Sequence, residues 1–333
     1  MPPKPAICCT KRASARSSRT EHGALAVRFG LQVETYGGPG DENAFDRMLA
    51  VARLAEEEGF KSVWYEDHLS LSHEEDPATP WPQLECLTTL SALAASTRKV
   101  GIGSLVACAP YRNPALLAKA WTTLDVVSHG RAIAGIGAGW NEREFRAYGY
   151  EFGTVEERIQ TLEDTARILD EMMRHSPASY AGRRLSIHRA RNEPPPVQRP
   201  RPPILIGGNG ERRTLRLVAR HADMCNVYGS PEEVERRFAA LRRHCEEAGR
   251  PYEEIVRTIN YWALLAADEG GKDEKQRRFP TAFSVDTPEE TVATLRAYEN
   301  AGTQYVIVKI LDAADLAPVR LFAREVMPAF EPR

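Results

Sequence analysis

Apolar positions along the chain fall into eight short runs, separated by stretches whose apolar residues recur with helical spacing. The runs are Val27–Val33, Ser62–Glu66, Val100–Ala107, Ala132–Ile136, Pro203–Ile206, Met224–Val227, Ile255–Leu265 and Gln304–Ile310. Most are rich in Val, Ile and Leu and are continuous rather than alternating, the pattern of strands buried on both faces of a parallel sheet. The stretches between them carry helix punctuation. Asn43–Glu58 places Phe45, Met48, Leu49, Ala52 and Ala55 on one face and stops at Gly59. Leu84–Ser96 repeats leucine at helical spacing, and Asn113 with Pro114 opens a helix that ends at Gly130. Thr154 and Glu157 form a capping-box pattern, while Ser230-Pro231 and Thr287-Pro288 open two further helices that end at Gly249 and Gly302. Eight β/α units predict a single (β/α)8 barrel over residues 27–330. A doubly wound open sheet is the alternative, because strand count alone does not establish closure.

Two segments interrupt the rhythm. Residues 175–202 hold six Arg and repeated Pro, too polar for a core, and read as a hairpin or strap across the barrel surface. Residues 268–281 are charged and follow the seventh strand, which predicts a functional lid or a disordered loop. Residues 1–26 carry five Lys/Arg against one Glu and no apolar core, so they read as a disordered extension rather than a secretory signal.

Composition narrows the function classes. A net charge of −2 over 333 residues gives no global argument for nucleic acid or an acidic membrane. No run approaches the ~18 apolar residues of a membrane span. The six cysteines form no CxxC pair, which fits reduced thiols in a cytoplasmic protein. The expected partner is a small-molecule substrate.

Ligands of such barrels sit at the C-terminal strand ends. Those ends deliver Gln32, Glu34 and Tyr36 from the first strand and Glu66, Asp67 and His68 from the second. The third gives Leu105, Val106, Ala107 and Cys108, then Tyr111 and Arg112; the fourth gives Gly137, Gly139, Trp140 and Asn141. The fifth gives Gly207, Gly208, Asn209 and Gly210, the sixth Asn226 and Tyr228, and the seventh Trp262. His68, beside the carboxylate of Asp67, suits a proton donor or a polariser of a carbonyl, or else a residue that ties down its loop. The Gly207–Gly210 turn ends a strand and opens a helix, where free N–H groups favour a phosphate, although such turns are also common structural devices. Gly137-Ala138-Gly139 is a second bare turn, and Trp140 after it is the best candidate for a pocket wall, with Tyr111 and Tyr228 beside it. The histidine spacing matches no metal-ligand pattern, so no metal is expected.

The segments EEEGFKSVWYEDHL, GIGSLVACAPYRNP, NPALLAKAWTTLDVVSHGRAIAGIGAGWNEREF and PVQRPRPPILIGGNGERRTLRLVARHADMCNVYG fall in one order. Together they resemble the luciferase-like oxidoreductases, most of all the branch that uses the deazaflavin coenzyme F420. The resemblance covers about residues 27–330 and implies a (β/α)8 barrel with the deazaflavin, or FMN, at the strand ends. It implies that Asp67 and His68 form an acid–histidine pair beside the reactive ring face. It aligns Leu105–Val106 with a non-prolyl cis peptide, places Gly137, Gly139 and Asn141 near the ring and ribityl chain, and assigns Gly207–Gly210 to the phosphate. The sugar-phosphate-oxidising members carry Glu just after the fourth-strand glycines, where this chain has Trp140, so a flatter and more apolar substrate is expected. The implied activity is hydride transfer with a carbonyl, enone or alcohol. An FMN-dependent monooxygenase and a non-catalytic cofactor-binding protein are the alternatives. Members of this family commonly dimerise through barrel helices, which leaves homodimer and monomer open here.

Overall fold

A computed structural model describes residues 26–35, 41–72, 80–278 and 284–331. Tyr36 and most of the N-terminal extension lie outside the described residues. Eight parallel strands form the barrel: β1 (Arg28–Gln32), β2 (Ser62–Tyr65), β3 (Gly101–Ser104), β4 (Ala132–Gly137), β5 (Ile204–Gly207), β6 (Met224–Val227), β7 (Val256–Ala263) and β8 (Tyr305–Ile310). Closure is complete. β1 pairs with both β2 and β8, with Arg28 opposite Tyr305, and β4 pairs with β5, with Ala134 opposite Ile204. The open-sheet alternative is therefore excluded.

The helices sit where their caps predict. Around the barrel run α1 (Ala44–Glu57), α2 (Cys86–Ser96), α3 (Pro114–Val127), α4 (Glu142–Ala147), α5 (Val155–Arg174), α6 (Thr214–His221), α7 (Pro231–Ala248), α8 (Glu269–Arg278) and α9 (Pro288–Asn300). The Asn113 side chain accepts from Ala115 N and Leu116 N, and Thr154, Ser230 and Thr287 each complete a capping box. None of the helices is long and apolar enough to cross a membrane, among the described residues.

The core lies between helices and strands, where Val, Ile, Leu and Ala of both are buried. Trp64 fills the barrel interior instead, fully buried, with its indole N–H donating to Ser62 Oγ at 2.6 Å. Trp121, on α3, is fully buried in the core. Cys86, Cys108, Cys225 and Cys245 are buried free thiols.

The polar strap is a hairpin, Ala178–Ala181 against Ser186–Ala190. It is tied to α5 by Asp164, which accepts from Arg184 N at 2.7 Å and Leu185 N at 2.9 Å. The 268–281 segment departs from its expectation: residues 269–278 form α8, which buries no residue. Ion pairs hold it, Lys272 to Glu290 at 2.5 Å and Lys275 to Asp312 at 2.6 Å.

Candidate active site

The C-terminal strand ends surround a cavity of about 840 Å³. His68, Leu105, Val106, Tyr111, Gly137, Gly139, Trp140, Asn141, Gly207, Gly208 and Tyr228 all line it, together with Gln32, Glu66, Asn226, Asn260 and Trp262. The barrel thus gathers residues from Gln32 to Tyr298 of the sequence into one chamber.

His68 Nδ1 lies 2.9 Å from Glu144 Oε2. Glu144 is nearly fully buried and also accepts the backbone N–H groups of Leu69 and Ser70, the latter at 3.0 Å. Burial disfavours the charged imidazole, but the Glu144 hydrogen bond and the charges of Glu66, Glu144 and Asp67 outweigh it, so the His68 pKa is raised. Burial likewise opposes ionised Glu144, yet His68 and the two backbone donors hold its pKa below the ordinary value. With Nδ1 committed to the carboxylate, Nε2 is left to meet a ligand. The Trp140 ring stands edge-on to the imidazole, with centroids 5.7 Å apart and an interplanar angle of 78°.

This geometry corrects the pairing expected of Asp67. Its carboxylate turns away from His68 to a bidentate bond with Arg112, at 2.5 and 2.8 Å, and accepts Cys108 N at 2.8 Å. Asp67 is the buried strut between the β2 and β3 ends, and Glu144 holds the histidine. Arg112 is correspondingly committed to Asp67 and Glu85 rather than to an anionic ligand.

Opposite elements supply a bare wall. The Leu105–Val106 peptide is cis, and both residues line the cavity. Ala107 is buried against β4, pairing with Ile136, and does not line it. At Gly137 an added Cβ would stand 2.5 Å from Val106 Cγ2. Gly139 has φ +76°, and a Cβ there would meet Phe145 Cζ at 2.7 Å and Cys108 Sγ at 2.8 Å, so the turn requires glycine.

The fifth-strand loop divides in two. Gly207 and Gly208 line the cavity, and Thr214, the first residue of α6, joins them. Asn209 does not: its side chain accepts Tyr228 N at 3.0 Å and donates to Tyr228 O at 3.1 Å, pinning the loop to the end of β6. Gly210 does not line the cavity either.

Sequence reasoning missed Glu144 and the β8 residue Lys309. Lys309 is buried, pairs with Glu34 and stands 4.0 Å from Glu66 Oε2. Glu144 had one available signal, an acidic residue in the first turn of the helix that follows the bare glycine turn.

A sequence profile described as "Luciferase-like monooxygenase" matches residues 24–284. The chain belongs to that family. Among its relatives is the F420-dependent glucose-6-phosphate dehydrogenase of Microbacterium testaceum, 27% identical over 93% of this chain and 99% of the relative. The F420-dependent hydroxymycolic acid dehydrogenase of Mycobacterium tuberculosis is 26% identical over 79% of this chain and 71% of its own length. The luciferase-like fold is matched by an F420-dependent secondary alcohol dehydrogenase solved with an F420–acetone adduct, with a TM-score of 0.76 at 19% identity over 92% of this chain and 100% of that one.

Proposed function

We propose that this luciferase-like protein is a coenzyme F420-dependent oxidoreductase acting on a small neutral carbonyl, enone or alcohol. The observation that carries the reading is the His68–Glu144 pair on the wall of a cavity whose other parts are the cis Leu105–Val106 bond and the glycine turns. The cavity suits a flat tricyclic ring: it measures about 840 Å³, and Gly137, Gly139, Gly207 and Gly208 present backbone without side chains. The relatives named for F420, one of them matched over nearly its whole length, support the deazaflavin over FMN.

When bound, the deazaflavin supplies or accepts hydride at its C5. The chain's own residues then do the rest. Leu105 and Val106 back one side of the chamber, and the glycine turns would let a ring and its tail approach the backbone. Gly208 and Thr214, at the entry to α6, line the cavity where a phosphate would meet helix N–H groups. His68 Nε2 donates a proton to the substrate oxygen during reduction and takes it back during oxidation, while Glu144 keeps Nδ1–H engaged and favours the imidazolium. Trp140, Tyr228 and Trp262, all exposed at the cavity, offer aromatic surface to a substrate without charge.

The test is turnover of reduced F420 on a panel of cyclic ketones and enones by wild type and His68→Ala. The variant should lose about 100-fold in kcat with unchanged cofactor affinity. Full turnover in the variant removes His68 from the chemistry. Oxygen uptake with FMN would favour the monooxygenase reading instead.

A further inference from the structure

Among the described residues, each carboxylate that lines the cavity has a cationic partner of its own except one. Asp67 is neutralised by Arg112, and Glu144 by His68. No Lys or Arg side chain lines the cavity among the described residues. Glu66 does line it, from the position just past β2, with its side chain 12% exposed. One of its oxygens, Oε2, accepts from Gln32 Nε2 at 3.3 Å and lies 4.0 Å from Lys309 Nζ. The other makes no hydrogen bond to any described residue. Lys309 cannot serve Glu66 alone, since it is in direct contact with Glu34 and its ammonium also lies 4.6 Å from the centre of the Trp262 ring. Two carboxylates therefore share one buried ammonium, and the one turned to the cavity is the less compensated.

We propose that Glu66 is the specificity-determining residue of this site, accepting a hydrogen bond from a hydroxyl of the substrate and excluding substrates that carry a carboxylate or phosphate. This rests on the oxidoreductase reading and adds to it a second point of recognition. His68 addresses the oxygen at the reacting carbon, and Glu66 a donor elsewhere on the same molecule. The physical basis is asymmetric. A hydroxyl satisfies the open oxygen, an unsubstituted ring leaves it unpaired, and an anion meets like charge with no Lys or Arg in the lining to offset it and the His68 imidazolium already paired with Glu144. Burial comes first in raising the Glu34 pKa, with Lys309 opposing and Glu66 assisting.

The experiment is a fluorescence binding titration of three probes, cyclohexanone, 4-hydroxycyclohexanone and 4-oxocyclohexanecarboxylate, against the F420-loaded protein and the free protein. Wild type, Glu66→Gln and Glu66→Leu are compared, with circular dichroism to confirm folding of each. In wild type the hydroxyketone should bind about tenfold tighter than cyclohexanone, with the carboxylate weakest. Glu66→Leu should abolish the hydroxyl preference, and Glu66→Gln should keep part of it while admitting the carboxylate. An unchanged ranking in Glu66→Leu, a wild type that binds the carboxylate as well as the hydroxyketone, or binding of none of the three overturns the proposal. Failure of F420 itself to bind wild type would instead count against the oxidoreductase reading, and the ranking on free protein would still be readable.

Discussion

His68 Nδ1 and Glu144 Oε2 meet at 2.9 Å across 76 positions of sequence, joining the end of β2 to the first turn of α4. The pair fixes the imidazole and biases it toward the protonated form. A raised folded-state pKa means that the His68 contribution to stability is complete below the unfolded value and is lost as pH rises through the folded one. The same sign applies to proton donation, so reduction should decline as pH climbs through the raised value. Glu144→Gln should move that decline to lower pH. A pH profile of kcat that is the same in both proteins would separate Glu144 from the chemistry.

The carboxylate of Glu144 also satisfies two backbone N–H groups of the β2 loop. Glu144→Ala should therefore cost about 2 kcal/mol in stability, beyond any kinetic effect. Urea denaturation of the variant gives the number, and Glu144→Gln should recover most of it.

Asp67 and Arg112 form a buried bidentate pair between β2 and β3. Arg112→Ala strands a buried carboxylate and should destabilise the protein by about 3 kcal/mol. His68 keeps its Glu144 partner in that variant, so kcat at a temperature well below unfolding should change much less than in His68→Ala. A kcat loss as large as that of His68→Ala would place Arg112 in the reaction.

Most of the barrel was legible in the chain, and the gaps have physical causes. Each strand lies within or one residue beyond its apolar run, because parallel strands covered on both sides must be apolar throughout. The seventh run, Ile255–Leu265, and its strand, Val256–Ala263, differ at their ends, where apolar residues continue into the loop. Sequence adjacency suggested Asp67 as the histidine's partner, but side chains alternate in direction along an extended segment, and Asp67 faces Arg112 while His68 faces the cavity. Glu144 was missed for the opposite reason: its place in the first turn of α4 was the one local signal, and nothing local announces a partner 76 positions away. In the glycine loop, Asn209 has the composition of a phosphate binder, yet its amide is used to hold Tyr228. Helix α8 was misread because it has no apolar face to detect.

That absence gives α8 its own expectation. With no buried residue and ion pairs such as Lys272–Glu290 and Lys275–Asp312 as its ties, α8 should loosen as salt rises. Limited trypsin digestion at low and high ionic strength should show faster cleavage within residues 269–278 in high salt. Equal rates would mean that the ion pairs do not hold the helix.

The bare turn after β4 makes a further demand. Gly139→Ala places a methyl against Phe145 and Cys108 at φ +76° and should destabilise the protein by about 1–3 kcal/mol. Cofactor affinity should fall as well if the turn carries the ring. Thermal unfolding with and without cofactor separates the two effects.

The central claim concerns the cofactor, and the direct measurement is a side-by-side titration of the purified protein with coenzyme F420 and with FMN, followed by intrinsic tryptophan quenching. Trp140 and Trp262 both line the cavity, so binding there should quench them. The account predicts micromolar or tighter binding of the deazaflavin and much weaker binding of FMN. Preference for FMN, or binding of neither, would contradict it.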